Sequence, residues 1–478
     1  MRIVHLAAEF APIAKAGGLA DVLVGLCREL TRSGHFVDVI LPKYDWIKDD
    51  LIKNLRVEIA DFKCLGSSNS MWSGQVEGCE LHLLQARHPA RYFERGKIYG
   101  CEDDIARFIY FSRAALEYLV KKGEAIDILH LHDWHVSLCA PLVKDFFKQL
   151  KVKKIVLTIH NAEYQGRCGP SDLDAIGIKG SDYLTPEKLQ DNQYPTAINL
   201  LKGGLIYSDA LVPVSPSYAK EILTPKYGCS LDPTFQKMRG KMKGILNGID
   251  TLLWDPLSDP YLTKGYAIES LAKGKEANRR QFPLDPKRRP WIGTVARLVP
   301  QKGPELLEEA LKKTVALGGC FLLLGSSPVP AIQQRFDQLK ETYKGNPQVF
   351  LHYAYDEKLA HLAYGALDFL IVPSHFEPCG LTQLIAMRYG TVPIVRATGG
   401  LKDTVFDWEN GKIPNSERNG FLFPDATPSS MNATLERAFR LFTAEPASFQ
   451  SLIRRGMESD FSWKRPAQEY LKLYRTVS

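Results

Sequence analysis

The chain has 478 residues, of which 45% are hydrophobic and 24% charged, and its formal net charge is +7. Since a single core stops growing at roughly 250–300 residues, two or three globular domains are expected. The sequence contains no block of like charges of the kind found in nucleic-acid-binding tails. No apolar run approaches the ~20 residues that span a bilayer. Neither nucleic acid nor a membrane is therefore an expected partner.

The nine cysteines are scattered, and no two form a Cys-x-x-Cys pair. This usage is typical of reduced thiols in a cytosol. The N-terminal apolar run is short and ends at Glu9, which favours a strand over a signal peptide. We therefore expect a cytoplasmic protein.

In the first half of the chain, short β-branched runs alternate with helical stretches. The predicted strands are residues 3–7, 37–41, 128–132 and 155–159, and the predicted helices are residues 20–34, 103–122 and 137–150. This alternation predicts an α/β fold with a parallel sheet and helices on both faces.

The same pattern restarts near residue 290. The predicted strands are residues 290–295, 320–324, 349–353, 369–372 and 391–395, and the helices are residues 305–317, 331–343, 357–365 and 381–389. Two doubly wound domains are therefore expected, at residues 1–243 and 244–460. A C-terminal helix at 461–478 is expected to pack back on the first domain.

Two glycine pairs lead into predicted helices, Gly17 and Gly18 early in the chain and Gly399 and Gly400 late in it. Glycine lets the backbone approach a ligand closely, and a helix N-terminus favours anions. The two loops are expected to hold one diphosphate from both sides. The alternative is that each is only a tight strand–helix turn.

Polar residues follow two neighbouring strands of the first half. His132 and Asp133 follow one strand, and His160 and Asn161 follow the next. Ligands in open α/β folds lie at the carboxyl ends of strands, so these side chains are candidates for chemistry.

No metal site is expected. The spacing of His132 and His135 matches no familiar zinc signature, and no cysteine pair supports one. Asp172 and Asp174 form an Asp-x-Asp tripeptide of a kind that chance produces easily, in a predicted loop.

The second half carries two cations and a carboxylate after predicted strands. Arg297 and Lys302 follow the strand at 290–295, where they are suited to neutralise a diphosphate leaving group. Glu377 lies in a turn held by two prolines and a glycine, and Thr382 opens the next helix. The alternative for the cations is ordinary surface charge.

Together these motifs resemble those of bacterial and plant glycogen and starch synthases over essentially the full length. The matching stretches are residues 15–22, 132–135, 158–161, 247–250, 297, 301–303, 377–382 and 398–401. The sequence departs from the family pattern at Ala16, commonly threonine or serine, and at His375, commonly a small residue or arginine.

The resemblance implies a GT-B fold, in which two Rossmann-like domains face each other across a deep cleft. It implies transfer of glucose from ADP-glucose to the non-reducing end of an α-1,4-glucan such as glycogen, with retention of configuration and without a metal or cofactor. UDP-glucose stays an alternative donor.

The resemblance also implies roles for individual residues. The catalytic residues are Lys15, Asp133, His160, Arg297, Lys302 and Glu377. Donor binding involves Lys15, Gly17, Gly18, Asn161, Asn247, Arg297, Lys302, Tyr355, Cys379, Gly380, Leu381, Thr382, Thr398, Gly399 and Gly400. Further sugar contacts are Asp21 and Tyr99.

Other functions remain open on sequence grounds. A sucrose synthase or another nucleotide-sugar glycosyltransferase would share the fold. A glucan phosphorylase would need a lysine that holds pyridoxal phosphate. A catalytically inactive glucan-binding protein is a further alternative, against which the intact Lys15, Lys302 and Glu377 argue.

Overall fold

The computed structural model describes residues 1–354 and 356–476, so the expected base contact Tyr355 lies outside the described residues. The chain divides into two units. The first comprises Met1–Gly248 and Trp463–Ser478, and the second comprises Ile249–Ser462. The chain therefore leaves the first unit once and returns to it.

The first unit is built on an eight-stranded sheet. The strands of this sheet are β1 (Arg2–Leu6), β2 (Phe36–Pro42), β3 (Lys53–Cys64), β4 (Ser67–Val76), β5 (Cys79–Arg87), β6 (Ile126–His132), β7 (Val152–Ile159) and β10 (Ala210–Pro213). Strands β8 (Arg167–Cys168) and β9 (Ile198–Asn199) form a separate two-stranded ribbon. The order in the large sheet is β10-β7-β6-β1-β2-β5-β4-β3. Chain order reverses on either side of β1, which is where open α/β sheets bind ligands.

The helices of this part are α1 (Gly18–Arg32), α2 (Asp104–Lys122), α3 (Trp134–Ser137), α4 (Cys139–Asp145), α5 (Pro170–Asp174), α6 (Leu200–Tyr207), α7 (Pro216–Glu221) and α8 (Asp232–Met238). Helix α1 buries Leu19, Leu23, Leu26 and Leu30 at helical spacing. The helix predicted at 137–150 is wrong in its bounds, because α3 ends at Ser137 and α4 covers only Cys139–Asp145. Pro141 has no N–H to donate to the carbonyl of residue 137.

The sheet is parallel only from β10 to β5. Strands β3, β4 and β5 form an antiparallel ribbon at one edge, a region for which no element was predicted. Strand β3 is largely exposed and carries charged residues such as Lys53, Arg56 and Glu58. An exposed edge strand of this kind lacks the apolar run that identifies a buried strand.

The second unit contains a six-stranded sheet that is parallel throughout. Its strands are β11 (Trp291–Val295), β12 (Cys320–Leu324), β13 (Val349–His352), β14 (Phe369–Val372), β15 (Val392–Arg396) and β16 (Phe421–Phe423). The order is β13-β12-β11-β14-β15-β16, so chain order reverses between β11 and β14. These apolar strands lie in the core of the unit, together with buried residues of the flanking helices and loops.

Helices flank this second sheet in sequence. They are α9 (Leu271–Arg279), α10 (Pro304–Ala316), α11 (Pro330–Thr342), α12 (Glu357–Ala366), α13 (Thr382–Arg388), α14 (Gly399–Thr404), α15 (Pro428–Ala444) and α16 (Pro446–Glu458). Across both described ranges, no helix combines the length and apolar character needed to cross a membrane.

The last helix, α17 (Lys464–Thr476), belongs to the first unit. Trp463, which precedes it, lies so close to Gly25 of α1 that a Cβ there would approach the indole Nε1 to 2.0 Å. The hydroxyl of Tyr474 lies 2.7 Å from Nδ1 of His130, a buried residue of β6. The C-terminal helix therefore reaches the strands that carry the polar residues at the sheet edge.

Candidate active site

A buried carboxylate, Glu9, holds the loop that follows β1. Its Oε2 accepts hydrogen bonds from the backbone N of Ala16 at 2.6 Å and of Gly17 at 2.7 Å. Its Oε1 accepts a hydrogen bond from the hydroxyl of Tyr99 at 2.7 Å. Tyr99 is thus joined to the glycine loop, and Glu9 is a candidate site residue that the sequence interpretation missed.

Lys15 and Asp21 form an ion pair at the start of α1, with Nζ and Oδ1 2.8 Å apart. Both side chains stay about one-third exposed, at 33% and 30%. Because the amide of Gly17 is bonded to Glu9, an anion at this loop would be bound by the Lys15 ammonium and by amides of the first helical turn, which have no acceptor within the helix.

Asp133 has a strained backbone, with φ at 60° and ψ at −173°, a region that is essentially restricted to glycine. Its Oδ1 accepts hydrogen bonds from the backbone N of His160 at 2.7 Å and of Asn161 at 3.4 Å. One carboxylate thus joins the ends of β6 and β7, and the structure brings these three predicted residues together.

The charge state of Asp133 is unusual for an aspartate. Burial raises the pKa of its carboxyl to about 7, and the negative charge of Glu9 acts in the same direction. The backbone hydrogen bonds from residues 160 and 161 oppose this rise. Burial lowers the pKa of His160 to about 3, so this imidazole is neutral near pH ~7.

Asn247 lies at the end of the first unit and is buried. Its Oδ1 atom has no hydrogen-bond partner among the described residues. A buried, unpaired amide oxygen is uncommon and is free to accept a hydrogen bond from a ligand.

In the second unit, Nζ of Lys302 donates a hydrogen bond to Oε2 of Glu377 over 2.5 Å. The hydroxyl of Ser374 donates to the same oxygen at 2.9 Å. Glu377 is buried, whereas Arg297 is exposed and forms no ion pair with another residue in the described ranges. The lysine and the carboxylate are therefore oriented by each other.

Backbone contacts join the loops after β11 and β14. The amide of His375 donates to the carbonyl of Gln301 at 2.8 Å. Gly303 has φ at +64°, and a Cβ there would lie 2.5 Å from the carbonyl oxygen of Pro373. Buried Arg396 donates from Nε to the carbonyl of Ser374 at 2.6 Å, a support that the sequence interpretation also missed.

The second glycine loop packs directly on the Glu377 turn. The amide of Gly400 donates to the carbonyl of Glu377 at 3.1 Å. A Cβ on Gly399 would lie 2.0 Å from that same carbonyl oxygen, and a Cβ on Gly400 would lie 2.2 Å from the carbonyl oxygen of Cys379. Close packing within the unit therefore requires both glycines.

The remaining predicted donor contacts of this unit surround that turn. Cys379 is buried, and Gly380 has φ at +75° and accepts a hydrogen bond from the Gln383 amide at 2.9 Å. Leu381 precedes α13, and Thr382 begins it. The buried Thr398 precedes α14.

The two glycine loops differ physically. Gly17 has φ at −154°, which any residue adopts, and the nearest atom to a Cβ there is Oε1 of Glu9 at 3.9 Å. Packing thus explains the late pair, Gly399 and Gly400, but does not explain Gly17. The open space beside Gly17 is suited to a ligand.

Among the described residues, two groups of side chains have atoms close enough to share a metal ion, namely His5, His130 and His132, and Cys101, Asp103 and Asp104. In the first group every ring nitrogen except Nε2 of His5 is within hydrogen-bond distance of a neighbour. In the second, the carboxylates accept hydrogen bonds from Arg95, Arg107 and backbone amides. Most of the candidate ligand atoms in both groups therefore already take part in hydrogen bonds.

The chain has two Rossmann-like sheets, and glycine loops and paired charges follow strands at which chain order reverses. These features are those of a GT-B glycosyltransferase. Residues 2–237 match the starch synthase catalytic domain family, and residues 275–441 match the glycosyl transferases group 1 family. The chain is 45% identical to a glycogen synthase from Protochlamydia amoebophila, with 100% of this chain and 99% of that protein covered. It belongs to the glycogen and starch synthase family and is an enzyme that transfers glycosyl groups.

Solved structures agree with this assignment. The catalytic domain of starch synthase IV from Arabidopsis thaliana, bound to ADP and acarbose, is 44% identical with a TM-score of 0.95, and 99% of both chains is covered. A sucrose-phosphate synthase from Thermosynechococcus elongatus has a TM-score of 0.65 at 21% identity, with 100% of this chain and 98% of that chain covered. The second similarity shows a common fold alone. The predicted family and GT-B fold are confirmed.

Proposed function

We propose that this enzyme transfers glucose from ADP-glucose to the non-reducing end of an α-1,4-glucan, such as glycogen, with retention of configuration. The similarity to starch synthase IV, which was solved with ADP and acarbose at 44% identity over 99% of this chain, is the observation that carries the proposal. The nucleotide and the sugar chain are taken from that protein.

The leaving group is an ADP diphosphate whose negative charge grows as the glycosidic bond to phosphate breaks. Lys15, Arg297 and Lys302 are the cations assigned to it. Lys302 is already oriented by Glu377 at 2.5 Å, and fixed charges of this kind stabilise a transition state without reorganisation.

The transferred glucose gains positive charge in the same step. Asp133, His160 and Glu377 are assigned to the sugar, and Asp21 and Tyr99 provide further contacts. Oδ1 of Asp133 accepts backbone hydrogen bonds, and Oε2 of Glu377 accepts hydrogen bonds from Lys302 and Ser374. One oxygen of each carboxylate is already engaged, and we assign attack from the side of the leaving group rather than a covalent intermediate. The departing phosphate then accepts the proton of the acceptor hydroxyl.

The other donor contacts are assigned by position. Gly17 leaves room for the diphosphate beside α1, which Gly18 begins, and Asn161 and Asn247 offer polar atoms to the donor. Residues 379–382 and 398–400 surround Glu377 in the second unit, which we assign to the nucleotide, and Tyr355 is assigned to the base.

The test is incubation of the purified full chain with ADP-[¹⁴C]glucose and glycogen. Label should enter the polymer and be released as maltose by β-amylase, which digests α-1,4 chains from the non-reducing end. A parallel reaction with UDP-glucose compares the donors, and one with fructose or fructose 6-phosphate tests sucrose-type acceptors. Incorporation into sucrose products, or none from either donor, would overturn the proposal.

A further inference from the structure

Three histidines on adjacent strands form a continuous hydrogen-bonded chain in the first unit. His5 lies on β1, His132 ends β6 and His160 directly follows β7. Nδ1 of His5 is 3.0 Å from Nε2 of His132, and Nδ1 of His132 is 3.1 Å from Nε2 of His160. We propose that His5 and His132 are positioning residues that hold His160 in the Nδ1–H tautomer, with this N–H directed to a sugar hydroxyl.

Each imidazole ring in this hydrogen-bonded chain of histidines carries one proton on its nitrogens. His5 and His132 are fully buried, and burial lowers the pKa of the His5 ring to about 3 and that of His132 well below its usual value. A neutral imidazole has one donor and one acceptor nitrogen. The hydrogen bonds of the chain therefore run in one of two directions, from His5 to His160 or the reverse.

The far end of the chain decides between the two directions. Nε2 of His5 is buried and has no hydrogen-bond partner among the described residues. If the bonds ran from His160 to His5, this atom would be a buried N–H without an acceptor. If they run from His5 to His160, it is only an unused lone pair, which costs less than an orphaned donor.

The chosen direction fixes the near end as well. His132 then donates from Nδ1 to Nε2 of His160, so the proton of His160 must be on Nδ1. His160 is only partly buried, and its Nδ1 makes no hydrogen bond with the described part of the chain. This nitrogen is therefore a neutral donor for a ligand oxygen, beside the Asp133 carboxylate that binds the His160 amide.

The role in sugar binding depends on the proposed function, but the tautomer does not. Long-range ¹H–¹⁵N correlation of ¹⁵N-histidine-labelled, ligand-free full chain distinguishes protonated from unprotonated ring nitrogens. The His160 signals are assigned by comparison with His160→Gln. A protonated Nδ1 and an unprotonated Nε2 are expected, and the opposite pattern would overturn the proposal whatever the enzyme transfers.

A variant series tests the positioning role. His5→Phe keeps a buried ring but removes the first donor, so His160 should become a mixture of tautomers and kcat should fall about tenfold, as expected for loss of one oriented hydrogen bond. In His5→Asn the amide N–H replaces Nδ1–H, so this variant should restore most of the Nδ1–H tautomer of His160 and most of kcat. An unchanged His160 tautomer in His5→Phe would contradict the proposal. If His5→Phe does not fold, the wild-type tautomer decides alone.

His130 provides the matched control. It is equally buried, and its ring centroid lies 4.4 Å from that of His132, but its nitrogens are bonded to Tyr474 and Thr158. His130→Phe should lower stability and leave the His160 tautomer unchanged. A shift of the tautomer in this variant would show that packing, rather than the hydrogen-bonded chain, sets it.

Discussion

Nζ of Lys302 lies 2.5 Å from Oε2 of Glu377, so the cation assigned to the leaving phosphate is held by the carboxylate assigned to the sugar. The carboxylate is almost fully buried, with 7% of its side chain exposed, whereas the lysine is 21% exposed. The pair thus fixes one group of each charge before a substrate binds, which favours electrostatic stabilisation in the transition state.

Replacement of Lys302 should mainly affect the chemical step. Lys302→Ala is expected to lower kcat about 10²–10³-fold and to raise the donor KM less, because the ammonium meets charge that develops during reaction. Lys302→Arg should recover only part of the lost kcat, since a planar guanidinium does not replace a compact charge. Steady-state kinetics with ADP-glucose measure both constants.

Lys313→Ala is the control for this series, because it removes a surface ion pair with Glu436 in the same unit. It should leave both constants unchanged. A normal kcat with weakened donor binding in Lys302→Ala would show that Lys302 is a ground-state anchor instead.

The glycines at the two loops should respond differently to alanine. Gly17→Ala should fold with unchanged thermal stability and bind ADP weakly, because the nearest described atom to its Cβ would be Oε1 of Glu9, at 3.9 Å, and the Cβ would occupy space assigned to the ligand. Gly400→Ala should lower the melting temperature, because its Cβ would lie 2.2 Å from the Cys379 carbonyl oxygen. Calorimetry of folding and of ADP binding separates the two effects, and normal ADP affinity in Gly17→Ala would contradict the assignment.

The activity should depend on an ionisation of Asp133. Its pKa of about 7 lies above the ordinary value of 3.8, so the carboxyl is protonated in mild acid and charged in mild base. A charged carboxylate stabilises a positive sugar better, so kcat/KM should rise with pH through about 7 and lose this step in Asp133→Asn. A pH–rate profile that keeps the step in that variant would assign it to another group.

The same shift has a consequence for folding. The folded state binds the Asp133 proton more tightly than the unfolded chain does, so this contribution to stability is full below about pH 4 and is lost as the pH rises through about 7. Denaturant unfolding at several pH values measures this contribution to stability.

The pKa of Asp133 should also depend on Glu9. Glu9→Gln removes a charge that raises this pKa, so the step in the pH–activity profile should move to lower pH. A step that does not move would exclude coupling to Glu9.

Activity should persist without divalent metal. The ring nitrogens of His130 and His132 are all within hydrogen-bond distance of neighbours, and three cations are assigned to the diphosphate. Enzyme treated with EDTA and assayed in metal-free buffer should retain full activity. Complete loss that Mn²⁺ or Mg²⁺ restores would mean that the diphosphate needs a metal as well as Lys15, Arg297 and Lys302.

Much of the candidate site was predictable in its position because its residues lie at the ends of apolar strands. The strands β12 and β14 begin and end at the predicted residues, and β6 and β7 end where expected. Since the carboxyl ends of neighbouring parallel strands share one sheet edge, Asp133 and His160 were expected to lie near each other, and a 2.7 Å hydrogen bond joins them.

The supports of the site were not predictable in this way. Glu9 bonds Tyr99 across 90 positions of sequence, and Arg396 bonds Ser374 across 22, so no local pattern indicates either contact. The antiparallel ribbon of β3, β4 and β5 was missed because its outer strand is polar and exposed. Tertiary contacts, rather than local propensity, determine these features.

The return of α17 to the first unit affects how the protein is made. A ribosome synthesises residues 249–462 as one continuous stretch, so the second unit can fold as soon as it emerges. The first unit still lacks Trp463, Tyr470 and Tyr474 at that time, and with them the hydroxyl bonded to His130. The unit that is synthesised first is therefore the last to be completed.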